Sequence, residues 1–169
     1  MDTLKAIFSR RSVRHFIEKD VPDSIVQTLL RAGMQAPSAR NEQPWHFVVM
    51  DDRRLLHAIP TFHPHAKMLL EAALAILVCS DRDLETKSAS WLQDCSAATQ
   101  NILLAAHALD LGAVWLGIFP DADRVAGMQN LLDLPKTIRP VALVALGYPA
   151  VTPEPQDRYR PERVHHNGW

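Results

Sequence analysis

Residues 91–109 constrain the fold more than any other part of the sequence. Small and apolar residues recur there at helical spacing, and the middle of the segment carries almost no charge. A helix that is apolar nearly all round its circumference is normally buried. In a chain of 169 residues, this pattern indicates a helix covered in part by a second chain, with burial inside one chain as the alternative. Gly112 is the predicted stop signal of the helix.

Short apolar segments on either side of this helix predict a sheet. Continuous apolar runs predict buried strands at 74–79 and 141–146, another strand at 47–50 and an extended segment at 114–119. Apolar periodicity predicts helices at 2–9, 22–34, 53–59, 67–73 and 121–132. A few strands that alternate with helices favour an α+β or α/β sandwich, with helices on both faces of the sheet.

Composition and charge narrow the class of protein. The chain is 47% hydrophobic and 22% charged, and its net charge is −1, with 18 basic and 19 acidic residues. We therefore expect one globular domain without a broad nucleic-acid interface. No apolar run reaches the roughly 18 residues of a membrane span. Residues 1–11 lack a secretory pattern, so we expect a cytoplasmic protein that does not enter membranes.

The last twenty residues differ in composition from the rest. Three prolines predict an extended arm at 150–169, which follows a domain at 1–149. A frayed tail is common for such a segment. Tyr159, Val164 and Trp169 are apolar anchors rather than linker residues, however, and they predict that the arm docks on its own domain or on a partner subunit.

Cysteines and histidines do not predict a metal site. Cys79 and Cys95 lie in apolar surroundings and are interpreted as buried, reduced thiols. The chain has eight histidines, but the pairs 63/65 and 165/166 lack the spacing that places two ligands on one helical face. We interpret them as surface residues and keep a histidine-dependent metal hydrolase only as an alternative.

Two further residue types are expected to serve the structure. Asp94 opens the apolar middle of the long helix and is predicted to be a hydrogen-bonded structural aspartate rather than a catalytic acid. The four tryptophans are interpreted as anchors of the core or of an interface, at Trp45, Trp91, Trp115 and Trp169.

The first cluster with chemical potential is the basic segment 10–14. It contains three arginines and a serine, and in an extended chain Arg10, Ser12 and Arg14 share one side. Guanidinium forks match phosphate oxygens, and a serine hydroxyl adds a further donor. The segment therefore predicts a phosphate site, with a solvated basic surface as the alternative.

Two other clusters suggest contact with a flat ligand. The loop at 36–45 combines two prolines with amides and hydroxyls, which can pair with the edges of a heterocycle, although turn-rich loops often look similar. At 111–117, Gly112 and Gly117 flank an apolar segment, so the backbone could approach a ring closely. The segment lacks the strand–GxGxxG–helix layout of dinucleotide folds, and no GxxxxGK loop occurs.

In this order, the clusters resemble the FMN-dependent nitroreductase family. The resemblance rests on R-R-S-V-R-H-F at 10–16, A-P-S-A-R-N-E-Q-P-W at 36–45, L-G-A-V-W-L-G at 111–117, A-L-G-Y-P at 145–149 and R-Y-R-P-E-R-V-H-H-N-G-W at 158–169. The second motif is the more specific, and the resemblance spans nearly the whole chain. It implies an α+β sandwich with a central, mostly antiparallel sheet flanked by helices. It also implies an intertwined homodimer with two FMN sites at the subunit interface.

The resemblance implies roles for individual residues. The FMN phosphate, ribityl chain and pyrimidine side would be held by Arg10, Arg11, Ser12 and Arg14, with Arg158 as a second phosphate-side arginine. The loop that reaches the flavin from the other subunit would contribute Pro37, Ser38, Ala39, Asn41 and Gln43. Leu116 and Gly117 would face flavin N5, and Lys67 would lie near the N1–C2=O edge. No catalytic side chain or metal is implied, because the flavin carries the chemistry.

The implied activity is that of an NAD(P)H-dependent FMN oxidoreductase. Two electrons would pass in ping-pong fashion from NAD(P)H to a small electrophilic acceptor, such as a nitroaromatic, a quinone or an activated alkene. The alternative is a flavin-binding or storage protein with little turnover. That alternative arises because residues 81–90 leave little room for the insertions that shape the substrate pocket of larger members.

Overall fold

A four-stranded sheet forms the centre of the computed structural model, which describes residues 1–85 and 89–169. Its strands are β1 (Trp45–Met50), β2 (Leu74–Asp81), β3 (Gly112–Gly117) and β4 (Ile138–Gly147). They lie in the order β1-β2-β4-β3, and every neighbouring pair is antiparallel. Part of the surface loop predicted at 81–90 lies outside the described residues.

Five α-helices complete the described architecture. They are α1 (Thr3–Ser9), α2 (Asp23–Met34), α3 (Arg53–Ala58), α4 (Trp91–Ala108) and α5 (Ala122–Leu131). Three of them begin at an aspartate whose carboxylate accepts a backbone N–H of the first turn, namely Asp2, Asp52 and Asp121. These caps fix where the three helices start. Helix α2 has no side-chain cap and begins after Pro22, as the sequence predicts.

The helices cover both faces of the sheet, as predicted. On one face, α2 and α4 bury Leu29 and Ile102 against Ile76 of β2. On the other face, α3 and α5 bury Leu56 and Met128, together with residues such as Leu77. Successive strand residues point to opposite faces. Strand β2 is therefore apolar at every position from 74 to 79, because both of its faces are buried. The predicted α+β sandwich is confirmed.

Two local predictions are wrong. The helix expected at 67–73 is only a short 3-10 turn, Lys67–Leu70, because the chain must extend to enter β2 at residue 74. Gly112 does not stop α4. That helix ends at Ala108, the chain reverses at Asp110 with φ 60°, and Gly112 is already the first residue of β3.

Helix α4 is only partly covered by its own chain. One face is buried in the core, including Cys95, Ala98 and Ile102, whereas Leu92 and Gln100 are exposed. The burial of this exposed face by a second chain stays a prediction. None of the described helices is long and apolar enough to cross a bilayer.

The arm at 150–169 contains the short turn Pro161–Arg163 and a bend at Asn167, whose φ is 61°. It leaves the sheet where the Ala150 N–H donates to the His15 carbonyl at 2.9 Å. Tyr159 is 66% exposed and Trp169 is fully exposed, so these anchors are not buried by their own chain. The docking of the arm on a partner subunit stays a prediction.

Candidate functional site

The basic segment leaves α1 and runs along the free edge of β3. The Val13 N–H donates to the Ala113 carbonyl at 3.0 Å, and Ser12 forms a parallel bridge with Ala113. Val13 is buried, whereas Ser12 is half-buried and Arg14 is exposed. Because alternate residues of an extended chain face opposite sides, Ser12 and Arg14 point away from the core. The extended geometry expected from the sequence is therefore present.

Three guanidinium groups come together beside α1. Arg10 and Arg11 line a cleft of about 790 Å³ with Arg158 of the arm, and Asp157 and Tyr159 also contribute to its walls. Burial, followed by the positive charges of Arg158 and Arg11, lowers the pKa of Arg10. None of the ion pairs found among the described residues involves these three arginines. The cluster is thus suited to a doubly charged anion such as a phosphate ester.

Helix α4 supports this cleft through its last turn. The Ser9 hydroxyl donates to the Lys5 carbonyl at 2.6 Å and lies 2.7 Å from Nε2 of His107. A hydroxyl has a single proton to donate, so it accepts from the Nε2–H of His107. Burial and the charge of Arg10 lower the pKa of this half-buried histidine. The contact ties the end of α1, and with it Arg10, to α4.

The loop at 37–43 is held in a compact conformation by its own polar groups. Arg40, Asn41 and Gln43 have φ values of 54°, 57° and 49°, in the left-handed region. The Gln43 N–H donates to the Ser38 hydroxyl at 3.0 Å, and its side-chain amide donates to Oδ1 of Asn41 at 2.8 Å. The amide and hydroxyl groups are consequently placed in advance of any ligand. Pro37 and Ala39 complete the loop.

Asp94 fixes this loop to the first turn of α4. Its Oδ1 accepts the Ala39 N–H at 3.0 Å, and the residue is buried. The prediction of a hydrogen-bonded structural aspartate is confirmed. Its Oδ2 has no hydrogen-bond partner among the described residues.

Gly117 ends β3 with its backbone turned to the free edge of the sheet. Ala113 faces that edge, and strand residues at even spacing share a side, so Trp115 and Gly117 face it as well. The Gly117 carbonyl accepts from Nε2 of His63 at 3.1 Å and from Nη1 of Arg124 at 3.0 Å. A Cβ on Gly117 would meet no atom of the described residues within 4 Å, so the space beside it is open in this part of the structure. The neighbouring Leu116 is buried.

His63 is the site residue that the sequence reasoning missed. Its interpretation as a surface histidine is wrong, because its exposed fraction is 1%. Burial, with a smaller contribution from the charge of Arg124, lowers its pKa. Burial of His63 depends on contacts with residues 117 and 124, and no local pattern around position 63 encodes them.

Lys67 is the remaining predicted site residue. Lys67 is exposed and begins the turn Lys67–Leu70. Just beyond that turn, Glu71 accepts the Phe16 N–H at 3.2 Å and lies 3.4 Å from Nδ1 of His15. The chain just after the turn therefore contacts the two residues that follow the basic segment, and the role of Lys67 stays a prediction.

One chain does not bring all these groups together. From Ala113 to Gly117, β3 spans roughly 13 Å between the basic segment and the open carbonyl end. The loop at 37–43 precedes β1, on the opposite edge, about 14 Å away across three strand spacings. Along α4, the rise from Asp94 to His107 separates that loop from the arginine cleft by about 20 Å.

The described residues hold no group of three or more His, Cys, Asp or Glu side chains that could bind a metal ion. Cys79 and Cys95 are free and buried, as predicted, and burial raises the pKa of each thiol to about 12. Nothing in this part of the chain favours the metal-hydrolase alternative.

Comparison with known families decides the identity of the chain at the family level. The sequence profile of the nitroreductase family matches residues 7–148, which include the basic segment, the loop and β3. The chain belongs to the nitroreductase family. The resemblance drawn from the sequence motifs is thereby confirmed.

Individual nitroreductase relatives match almost the full chain. A protein of Methanothermobacter thermautotrophicus, designated a candidate NADH dehydrogenase/NAD(P)H nitroreductase, is 46% identical over 169 residues, which cover 100% of this chain and 88% of the relative. A solved structure with the same designation, from Parabacteroides distasonis, is 41% identical with a TM-score of 0.95, covering 99% and 98% of the two chains. A candidate nitroreductase of Desulfovibrio desulfuricans, solved in complex with FMN, is 33% identical with a TM-score of 0.85, covering 100% and 98%.

Proposed function

We propose that this member of the nitroreductase family is an NAD(P)H-dependent FMN oxidoreductase that reduces a small electrophilic acceptor. The observation that carries the proposal is the outer edge of β3, with guanidinium groups that form no ion pair among the described residues at one end and the Gly117 backbone at the other. The relative from Desulfovibrio desulfuricans solved with FMN supports the choice of cofactor. The name of the relative from Methanothermobacter thermautotrophicus supports NADH or NADPH as the donor.

The arginine cleft fits the phosphate end of FMN. Arg10, Arg11 and Arg158 would bind the phosphate, because the single carboxylate of Asp157 does not offset their three positive charges. Ser12 and Arg14 follow along the β3 edge, where they would bind the ribityl chain and the pyrimidine side. The roughly 13 Å from Ala113 to Gly117 suits an extended ligand with a phosphate at one end and a ring at the other.

The carbonyl end of β3 fits the redox-active ring. Leu116 and Gly117 would present the backbone to flavin N5, because Gly117 faces the edge and carries no side chain. Lys67 would place a cation near the N1–C2=O edge and favour negative charge there. When bound, the flavin would supply ping-pong transfer of two electrons from NAD(P)H to the acceptor. The acceptor would be a small electrophile such as a nitroaromatic, a quinone or an activated alkene.

We propose that a second copy of the chain completes each site. Pro37, Ser38, Ala39, Asn41 and Gln43 lie on the opposite sheet edge from Gly117, so they would serve the site of the partner. The incompletely covered face of α4 and the exposed anchors of the arm supply apolar surface for such a homodimer. The arm would dock on the partner subunit, where those anchors would be buried.

A visible absorbance spectrum of the purified protein, recorded before and after anaerobic addition of NADH or NADPH, tests this function. We expect flavin bands that bleach with at least one nucleotide, which also identifies the donor. Bands that persist with both nucleotides would instead support storage of the flavin, which the names of the relatives do not favour. A colourless protein that takes up no added FMN would contradict the proposal.

A further inference from the structure

We infer that His63 and Arg124 are positioning residues that lock the Gly117 peptide and tune the reduction potential of the bound flavin. The inference rests on the proposed function, because it assumes that the flavin ring lies beside Gly117. It concerns two side chains that reach this peptide from the loop before β2 and from α5. Neither residue belongs to the motifs that drew attention to the site.

The hydrogen bonds of His63 determine where its proton lies. The His65 N–H donates to Nδ1 of His63 at 3.3 Å, so Nδ1 must be the unprotonated, accepting nitrogen. Nε2 therefore carries the proton and donates to the Gly117 carbonyl at 3.1 Å. Burial and the nearby charge of Arg124 disfavour the doubly protonated ring, since they lower the pKa of His63. His63 thus acts as a neutral donor of fixed orientation.

Arg124 contributes a charge as well as a hydrogen bond. Its Nη1 donates to the same Gly117 carbonyl at 3.0 Å, and its Nε lies 3.2 Å from Oδ2 of Asp121. Asp121 is the N-cap of α5 and accepts the backbone N–H of Arg124 at 3.1 Å, so helix and side chain are fixed by one carboxylate. The Arg124 guanidinium is therefore held against the Gly117 carbonyl, next to the proposed position of the flavin ring.

Gly117 needs this support because glycine has the greatest backbone freedom of any residue. Two donors on one carbonyl restrict the rotation of the peptide that joins Gly117 to Ile118. The Gly117 N–H belongs to the preceding peptide, which the pairing of Leu116 with Leu143 holds in the sheet. With both of its peptides held, Gly117 keeps this N–H directed toward the edge of β3, where flavin N5 would lie. His63 serves the geometry alone, whereas Arg124 also adds a positive charge that stabilises the more negative, reduced state of the cofactor. The two residues should therefore differ in their measurable effects.

The test measures two properties of four variants: the midpoint potential of the FMN-loaded protein for Arg124→Gln and Asp121→Asn, and the FMN affinity for His63→Leu and His63→Gln. Arg124→Gln should lower the equilibrium constant of two-electron reduction about tenfold, which is about 30 mV. Asp121→Asn keeps a capping oxygen but removes the negative charge facing Arg124, so the potential should rise. His63→Leu should weaken FMN binding severalfold, and His63→Gln, which restores a donor, should recover most of the affinity.

Arg54→Gln is the matched control. Arg54 pairs with the N-cap Asp52 of α3 at 2.7 Å, as Arg124 pairs with Asp121, but its side chain is 91% exposed. Its removal should leave the potential unchanged. If Arg124→Gln does not fold, the rise in potential with Asp121→Asn still tests the charge effect.

Nitrogen NMR of the unliganded protein separates this inference from the proposed function. Near neutral pH, His63 should show a protonated Nε2 and an unprotonated Nδ1, whether or not the protein binds FMN. A protein that binds no FMN would overturn the proposed function, and with it the tuning of a potential, whereas the NMR signal would still report the lock on Gly117. A protein that binds and reduces FMN, but whose potential is unchanged by Arg124→Gln and by Asp121→Asn, would overturn the inference alone.

Discussion

The Ala39 N–H donates to the buried Oδ1 of Asp94 at 3.0 Å, and this bond joins the polar loop to the first turn of α4. Asp94→Ala would leave the Ala39 N–H without its acceptor, at a cost of about 1–3 kcal/mol in the free energy of unfolding. Asp94→Asn keeps an acceptor and should cost less. Urea unfolding of the three proteins measures the difference, and equal stability of Asp94→Ala and the native chain would contradict this role.

Loss of single arginines should weaken cofactor binding. We expect Arg10→Ala and Arg14→Ala each to reduce FMN affinity by about 1.5–3 kcal/mol, the scale of a hydrogen bond to a charged group. Fluorescence titration of apoprotein with FMN gives the dissociation constants. Arg54→Ala, which removes an exposed arginine elsewhere, should leave them unchanged. Wild-type affinity in both test variants would rule out the phosphate assignment.

Gly112 and Gly117 should respond differently to alanine. A Cβ on Gly112 would lie 2.7 Å from Cγ1 of Val13, whereas a Cβ on Gly117 would contact none of the residues that the structure describes. Gly112→Ala should therefore lose about 1–3 kcal/mol of stability, and Gly117→Ala should lose little. Thermal unfolding tests both, and Val13→Ala should recover part of the loss in a double-mutant cycle. Equal melting temperatures for the two glycine variants would show that the Val13 side chain moves aside without loss of stability.

Removal of the arm should affect assembly and cofactor together. Deletion of residues 150–169 takes away Arg158 and the exposed anchors Tyr159 and Trp169. We expect a weaker dimer and a lower flavin content per chain. Analytical ultracentrifugation and the ratio of flavin to protein absorbance report the two effects. A truncated protein that stays dimeric and fully yellow would identify the arm as a dispensable tail.

Stability should fall at mildly acidic pH because of His63. Its folded pKa is lowered by burial, so the unfolded chain binds its proton more readily. This contribution is complete above the unfolded pKa of about 6.5, and it decreases as the pH falls toward the lowered folded value. His107, with a pKa lowered in the same direction, adds to the trend. Urea unfolding near neutral pH and at mildly acidic pH should show a smaller loss for His63→Gln than for the native chain. An equal loss in the two proteins would contradict this role of His63.

The sheet could be predicted from the sequence because its signals are local. Strand β2 is apolar at successive positions, and α4 has few charges, so each identifies itself without reference to distant residues. A helix is predicted at 67–73, where the chain forms only the short turn Lys67–Leu70. Apolar periodicity cannot show where the chain must extend to enter the sheet.

Only the parts of the site that lie within sequence motifs could be predicted. Motifs supplied the basic segment and the loop, whereas the burial of His63 and the need for glycine at 112 depend on partners remote in sequence. Val13 and Gly112 approach each other only after the basic segment has packed along β3. Such constraints arise from tertiary contacts, which single-sequence patterns do not contain.

The placement of the polar loop and the arginine cleft on opposite parts of one chain has a genetic consequence. If each site combines the cleft of one copy with the loop of another, a cleft-defective allele and a loop-defective allele damage different halves. Their mixed dimer would contain one doubly damaged site and one intact site. Two inactive alleles expressed in the same cell would then complement each other, whereas neither would regain activity alone.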